Sequence, residues 1–339
     1  MWAWYKKLSL RFPKGGSGDW PGSTLLETAS VTEPVWEVYR NLCNNIVEFA
    51  EEEGSRLNSD EDVDMIMVKW FHREFEQGED LSKGEKAFAA WQAIFPEFSK
   101  FGKRKLPRSH RALKGWRKLA PPRSRKPSPF QVVAAHAVRL AARGKHHMAL
   151  WVLVGFIAYL RPSENMKLKK RDLVKPRQGV TQFWGLLLCS SDSHLQSKNG
   201  ASDESVMMDN KSIEWIGDAL AALAEGKGSE ALWPFTYPEL TAELRACSKD
   251  LGVKMVPYQL RHAGPSWDRT KNFRSLADIQ KRGRWKSFKS VTRYEKATLI
   301  LSEFDRLPKA VRQRCDLCTR HLKDYILGTM NPPGLNAAC

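Results

Sequence analysis

The stretch GRWKSFKSVTRYEK, residues Gly283 to Lys296, poses the question on which the reading of this chain turns. Trp285 stands nine residues before Tyr294, and the tyrosine is flanked by Arg293 and Lys296. Such a tyrosine is either an aromatic on an ordinary basic surface or a nucleophile beside an anion site. The choice depends on cations elsewhere in the chain.

Around this stretch the second half reads as mostly helix. Phe130 to Arg143 and His147 to Leu160 have helical patterning. The second of them (ALWVLVGFIAYL) is almost wholly apolar, hence deeply buried, and stops at Arg161-Pro162. QFWGLLLC, Gln182 to Cys189, and Ser205 to Met208 read as two strands of a hairpin joined by the polar SSDSHLQSKNGASDE. Ser212 to Ala224, Pro238 to Leu251, Tyr258 to Trp267 and Ser275 to Gly283 return to helix. The expected class is mostly α with a small β-sheet (α+β).

Three cations in this half are out of the ordinary. Arg161, in YLRPSENMKL, closes the apolar run; Lys198 lies in the strand-connecting loop; Arg261 lies in VPYQLRHAGPSWD. Taken singly each has a plain account. Arg161 would pair with Glu164 one helical turn on, Lys198 would be a loop lysine, Arg261 would continue a basic helix, and Trp285 would be core.

A chain of 339 residues implies two domains, and 42% hydrophobic with 27% charged residues is globular composition. The net charge of +17 calls for a polyanionic partner, with nucleic acid ahead of a membrane surface. No run of 18 apolar residues is present, and MWAWYKKLSLRF lacks the long apolar core of a signal peptide, so an intracellular protein is expected. The six cysteines are scattered, as reduced thiols are. Cys315-x-x-Cys318 with His321 is an incomplete zinc pattern, better read as thiols packed in a helix.

The charge is concentrated. Lys100 to Lys126 holds twelve Lys or Arg and no acid, and subtracting those twelve from +17 leaves +5 for the rest. Leu106, Leu113, Trp116 and Leu119 interrupt the block, and Arg108, Arg111 and Lys114 recur every three residues, which predicts a helix with a basic stripe. Lys103, Arg104, Lys105, Arg108, Arg111, Lys114, Arg117 and Lys118 are the expected contacts to a phosphate backbone, and KRK at 103–105 would also serve nuclear import. Ahead of the block, Trp36, Tyr39, Leu42, Ile46 and Phe49 form one amphipathic face. Val63, Met67, Trp70, Phe71 and Phe75 form a second, capped at Ser59 or Asp60, and Phe88, Trp91 and Phe95 a third. The acids Asp60, Glu61, Asp62 and Asp64 at a helix start suit the helix dipole better than a metal. The division expected is a loosely ordered segment 1–33, a helical domain 34–120, a proline-rich basic linker 121–127, a second domain 128–305 and a tail 306–339.

In order and separation, the marked residues resemble the tyrosine recombinase family: Arg with an acid three later, a hairpin Lys, H-x-x-R-H, His or Trp, and Tyr nine residues on. Arg161 with Glu164, Lys198, Tyr258-Gln-Leu-Arg261-His262, Trp285 and Tyr294 occupy these places. The resemblance spans residues 34 to 300, so the helical domain looks like the DNA core-binding domain of these enzymes and the second like their catalytic domain. The wording of YLRPSE and RGRWKSFKSVTRYEK looks most like recombinases of eukaryotic mobile elements, which would place the protein in the nucleus.

The resemblance implies a site-specific recombinase or integrase acting on double-stranded DNA without metal, nucleotide or other cofactor. Arg161 and Arg261 would clamp the non-bridging oxygens of the scissile phosphate. Tyr294 would attack phosphorus to give a 3′-phosphotyrosyl link, Lys198 would protonate the leaving 5′-oxygen, and the Trp285 N–H would donate to phosphate. Family members work as tetramers on DNA that exchange a C-terminal helix, a role open to the tail here. Tyr258 departs from the usual histidine; a phenol donates a hydrogen bond to phosphate but is a poor base. His262, next to Arg261 on a helix, is expected to point about 100° away from it and not to substitute. The alternatives are a DNA-binding remnant of this fold that has lost turnover and a type IB topoisomerase-like enzyme.

Overall fold

The computed structural model describes residues 24–121, 126–188, 204–225 and 230–332. The chain divides into two compact units, Met1–Ser124 and Arg125–Cys339. No helix among the described residues is long and apolar enough to cross a membrane.

The first unit opens with a helical turn, α1 (Leu25–Thr28), inside the segment expected to be loose, and Trp36 Nε1 donates to Thr28 O at 2.8 Å. Four helices follow: α2 (Glu33–Glu52), α3 (Asp60–Glu76), α4 (Leu81–Ile94) and α5 (Pro107–Leu119). Each starts where its sequence supplies a signal. Pro34 stands in the first turn of α2, and Asp80 caps α4. Ser59 caps α3 in a reciprocal pair, Ser59 Oγ accepting from Asp62 N at 3.1 Å and Asp62 Oδ2 accepting from Ser59 N at 3.0 Å. Their apolar faces meet in one core that buries Ile46, Met67, Trp70, Phe71 and Trp91. Helix α5 leans on α4 so closely that a Cβ at Gly84 would lie 2.8 Å from the Trp116 ring.

Asp64 departs from the helix-dipole reading. It is buried in α3 and accepts from the backbone N–H of Arg108 at 2.8 Å and of Ser109 at 2.7 Å. Leu106, the residue before α5, has no side-chain oxygen to cap that helix, so a carboxylate forty-odd residues upstream does it.

In the second unit α6 (Phe130–Ala142) and α7 (His146–Ile157) pack against each other and are buried almost throughout. Around them stand α8 (Pro162–Met166), α9 (Ile216–Ala224), α10 (Tyr237–Leu251), α11 (Pro257–Thr270) and α12 (Leu276–Gly283). Helices α13 (Ala297–Asp305), α14 (Lys309–Arg320) and α15 (Leu322–Leu327) complete the unit. The tail folds back on its own unit: α14 and α15 lie on α6, burying Cys315, Cys318, Tyr325 and Ile326 in the core. Burial pushes the Cys315 thiol up to about 12, as for an inert packed cysteine.

The sheet has three antiparallel strands in the order β1 (Leu173–Val174), β2 (Gly185–Leu188), β3 (Glu204–Met207). Leu186 faces Val206 and Leu188 faces Glu204, so Leu186, Leu188 and Val206 turn to the core while Leu187 and Met207 turn out. Strand β2 begins at Gly185, three residues later than the sequence suggests, while β3 has the expected length one residue earlier in the chain. Strand β1, two residues long, is too short to leave a periodic signal. The loop 189–203 lies outside the described residues.

The end of α7 also differs from expectation. The helix stops at Ile157, Tyr159 takes a left-handed conformation (φ 51°), and Arg161 becomes the residue that opens α8. Arg282 fixes this end by donating to the Ile157 carbonyl from Nε at 2.9 Å and Nη2 at 2.7 Å. Gly264 lets α11 press against the same corner: a Cβ there would lie 2.1 Å from Phe156 O.

Candidate active site

Arg161, Glu164, Arg261, His262, Trp285 and Tyr294 come together where α8, the first half of α11, the end of α12 and the turn before α13 converge. Lys198 lies outside the described residues. Pro162 and the cap on Arg161 fix the first corner, with Glu164 Oε2 accepting from Arg161 N at 2.8 Å. The Arg161 guanidinium pairs with Glu164 Oε1, so the plain pairing read from the sequence is present.

Arg261 is the most enclosed of these cations, 2% exposed. Its Nη1 donates to Tyr159 O and its Nη2 to Gly283 O at 2.8 Å, while Glu164 Oε2 stands 3.8 Å away. Both carbonyls are aimed by left-handed turns, one at Tyr159 itself and one at Arg284 (φ 56°), which follows Gly283. Burial and then the neighbouring Arg161 lower Arg261 to about 10, which leaves it cationic at neutral pH.

Arg261 Cζ lies 4.8 Å from the centroid of the Trp285 ring, and that ring lies 4.7 Å from the Tyr294 ring. Trp285 reaches this place by folding under Gly283, where a Cβ would come within 1.7 Å of the indole. Tyr294 sits in a 3₁₀ turn, Thr292–Tyr294, and its ring is buried with Tyr159, Ile279 and Val291.

His262, the residue after Arg261 on α11, faces Tyr294, and the two rings are 5.6 Å apart. Tyr258, one helical turn earlier and 38% exposed, lies 5.5 Å from His262 on its other side. Helix geometry gives only the angle between His262 and Arg261; tertiary packing puts Tyr294 beside the imidazole.

Two arginines that the sequence does not single out belong to this region. Arg284 is 6% exposed and pairs with Glu164 Oε2 at 2.7 Å and Glu204 Oε2 at 3.0 Å. Arg282, 8% exposed, joins Arg274 on Asp209. Arg274 also reaches Asp268, which accepts a hydrogen bond from Tyr159 Oη. Burial alone would raise Glu164; Arg284, the Arg161 N–H, Arg261 and Arg161 together hold its carboxyl below the usual range. In KRGRW the two arginines look like neighbours of Lys281 and Lys286, and nothing in the spacing marks them as buried.

In the first unit Lys103, Lys105, Arg108, Arg111, Lys114, Arg117 and Lys118 are exposed and Arg104 half-buried. Arg104 pairs with Asp60 at 3.1 Å and Arg117 with Glu85, leaving Arg108, Arg111 and Lys114 as an exposed stripe on α5. In the second unit Lys286 and Lys289 are exposed beside the site.

The site thus combines two guanidiniums, an indole N–H, an imidazole and a phenol around one small region, a set suited to an oxyanion and a hydroxyl nucleophile. The architecture matches solved recombinases. XerH site-specific recombinase in its post-cleavage complex with palindromic difH substrate is 14% identical, with a TM-score of 0.53 over 81% of this chain and 79% of that one. The XerH pre-cleavage complex with difH substrate is 13% identical, with a TM-score of 0.52 over 81% of this chain and 79% of that one. The fold is that of the tyrosine recombinases. No protein-family profile and no curated protein matches the sequence.

Proposed function

We propose that this chain is a site-specific tyrosine recombinase that cuts and rejoins double-stranded DNA through a 3′-phosphotyrosyl intermediate, without metal or ATP. The observation that carries this reading is the contact series from Arg261 to Trp285 to Tyr294, which joins an anion-binding guanidinium to a phenol across one indole. The fold shared with XerH, captured on its difH substrate, and the exposed basic stripe on α5 support DNA as the partner.

In this mechanism Arg161 and Arg261 bind the non-bridging oxygens of one phosphodiester, and Trp285 donates its N–H to the same phosphate. The Tyr294 oxygen bonds to phosphorus as the bond to the 5′-oxygen breaks. The phenolic proton passes to His262, the imidazole beside the tyrosine, and Lys198 protonates the departing 5′-oxygen. Attack by a 5′-hydroxyl on the phosphotyrosine reverses these steps and reseals a strand. Self-association as a tetramer on two duplexes, and service to a eukaryotic mobile element in the nucleus, belong to the same proposal.

The test is a nicked duplex carrying the target site, on which cleavage releases the short fragment bearing the freed 5′-hydroxyl and the protein remains attached through the 3′-phosphate. The wild-type chain forms a covalent adduct mapping to Tyr294, and Tyr294→Phe forms none; an undiminished adduct in that variant refutes the assignment. The half-exposed Tyr258 in the place of histidine favours a second reading, a DNA-binding protein without turnover. Binding with no adduct on any cognate site selects it.

A further inference from the structure

We propose that Arg284 is a positioning residue that keeps Arg261 available to phosphate by occupying the Glu164 oxygen that would otherwise neutralise it; this rests on the function proposed above. Glu164 is surrounded by three guanidiniums. Arg161 takes Oε1, Arg284 Nη2 takes Oε2 at 2.7 Å, and Arg261 Nη1 is kept 3.8 Å from that same oxygen, beyond a hydrogen bond. Arg261 donates to two neutral carbonyls, Tyr159 O and Gly283 O, and its ion pair with Glu164 is the longer 3.8 Å one, without a hydrogen bond.

The charge balance points the same way. Arg161, Arg261 and Arg284 against Glu164 and Glu204 leave one positive charge in this enclosed cluster. Without Arg284 the balance falls to zero, and Glu164 Oε2 is free to close on Arg261. A phosphodiester gaining negative charge in its transition state would then meet a neutralised site.

The backbone shows that the side chain at 284 is there for its own sake. Arg284 closes α12 in the left-handed conformation, where glycine is the usual residue and an L side chain is disfavoured. Locally the arginine makes one hydrogen bond, Nη1 donating to Arg282 O at 3.1 Å. Its other partners are two largely enclosed carboxylates, Glu164 at 10% and Glu204 at 14% side-chain exposure.

That conformation also supplies the test. Arg284→Gly retains the left-handed turn, and with it the Gly283 carbonyl on Arg261, while removing the guanidinium. Single-turnover adduct formation on the nicked duplex is expected to slow by about tenfold or more, with the duplex Kd changed by less than about threefold. On a duplex whose scissile phosphate is a methylphosphonate, which carries no charge, the defect is expected to shrink; Arg284→Lys is expected to recover part of the rate on the natural phosphate. A folded Arg284→Gly that cleaves like the wild type overturns the proposal. So does a defect of the same size on the methylphosphonate, which would mark a structural role. Arg284→Asn, also tolerant of a left-handed turn, repeats the test should the glycine variant unfold. Unfolding of both overturns the proposal by making Arg284 structural. Absence of any wild-type adduct removes the functional reading itself, whereas equal rates in wild type and variant remove only this inference.

Discussion

The rings of Trp285 and Tyr294 stand 4.7 Å apart at an interplanar angle of 41°. The turn at Arg284 and two short 3₁₀ turns, Phe288–Ser290 and Thr292–Tyr294, fold the intervening chain back so that the two aromatics meet over Arg261. Trp285 is therefore the packing surface against which Tyr294 rests and, in the proposed mechanism, also a donor to the phosphate.

Separating those two roles gives the first prediction. Trp285→Phe keeps a ring between Arg261 and Tyr294 but removes the N–H, and adduct formation should slow by about a hundredfold, the lower end for loss of one transition-state donor. Trp285→Ala also removes the surface under Tyr294 and should slow it by a further factor of about ten, with the thermal midpoint lowered as well. Rates on the nicked duplex and thermal melts of the three proteins check both steps.

Asp64 makes a prediction about stability in the first unit. Asp64→Ala leaves the N–H groups of Arg108 and Ser109 without their acceptor at the buried start of α5, at a cost of about 2–3 kcal/mol. Asp64→Asn keeps one acceptor oxygen and should cost about half as much. Urea midpoints measure the difference, and no change in Asp64→Ala would show that α5 is not held from α3.

The exposed stripe on α5 predicts a salt dependence. Replacing Arg108, Arg111 and Lys114 together by alanine should weaken duplex binding on every sequence and reduce the slope of log K against log salt by about 3. The same treatment of Arg104 and Arg117, already paired with Asp60 and Glu85, should change the slope by less than about 1 each. Equal effects from the two sets would place the duplex elsewhere on this unit.

His136 predicts how the second unit responds to acid. It is buried in α6, with Nδ1 2.8 Å from Val132 O and Nε2 3.2 Å from Ser248 Oγ, and burial lowers it from 6.5 to about 4. Because the folded value lies below the unfolded one, the unfolded chain binds the extra proton between pH 6.5 and 4. The stability linked to His136 is whole above pH 6.5 and is lost as the pH falls toward 4, about 3 kcal/mol in all. Unfolding free energies measured across that range should fall with pH, and His136→Gln should flatten the fall.

The sequence by itself determined most helices of the two units, strands β2 and β3, the basic stripe, and Arg161, Glu164, Arg261, Trp285 and Tyr294 as residues to look for together. The reason is that amphipathic periodicity, caps such as Ser59 and breakers such as Pro162 act over one or two turns, so their signal lies in adjacent residues. Glu164 could be paired with Arg161 for the same reason, three residues apart on one turn. Only the tertiary structure decided that Asp64 caps a helix more than forty residues away, that His262 faces Tyr294, and that Arg282 and Arg284 are buried beside carboxylates rather than spread over a basic surface. In each case the deciding partner is distant in sequence: Asp64 meets α5 because α3 and α5 pack together, and the others meet because α11 packs on α7 and α12 closes on the end of α7 through Arg282. A charged side chain carries no local mark of whether water or a buried carboxylate will answer it; the fold supplies that answer.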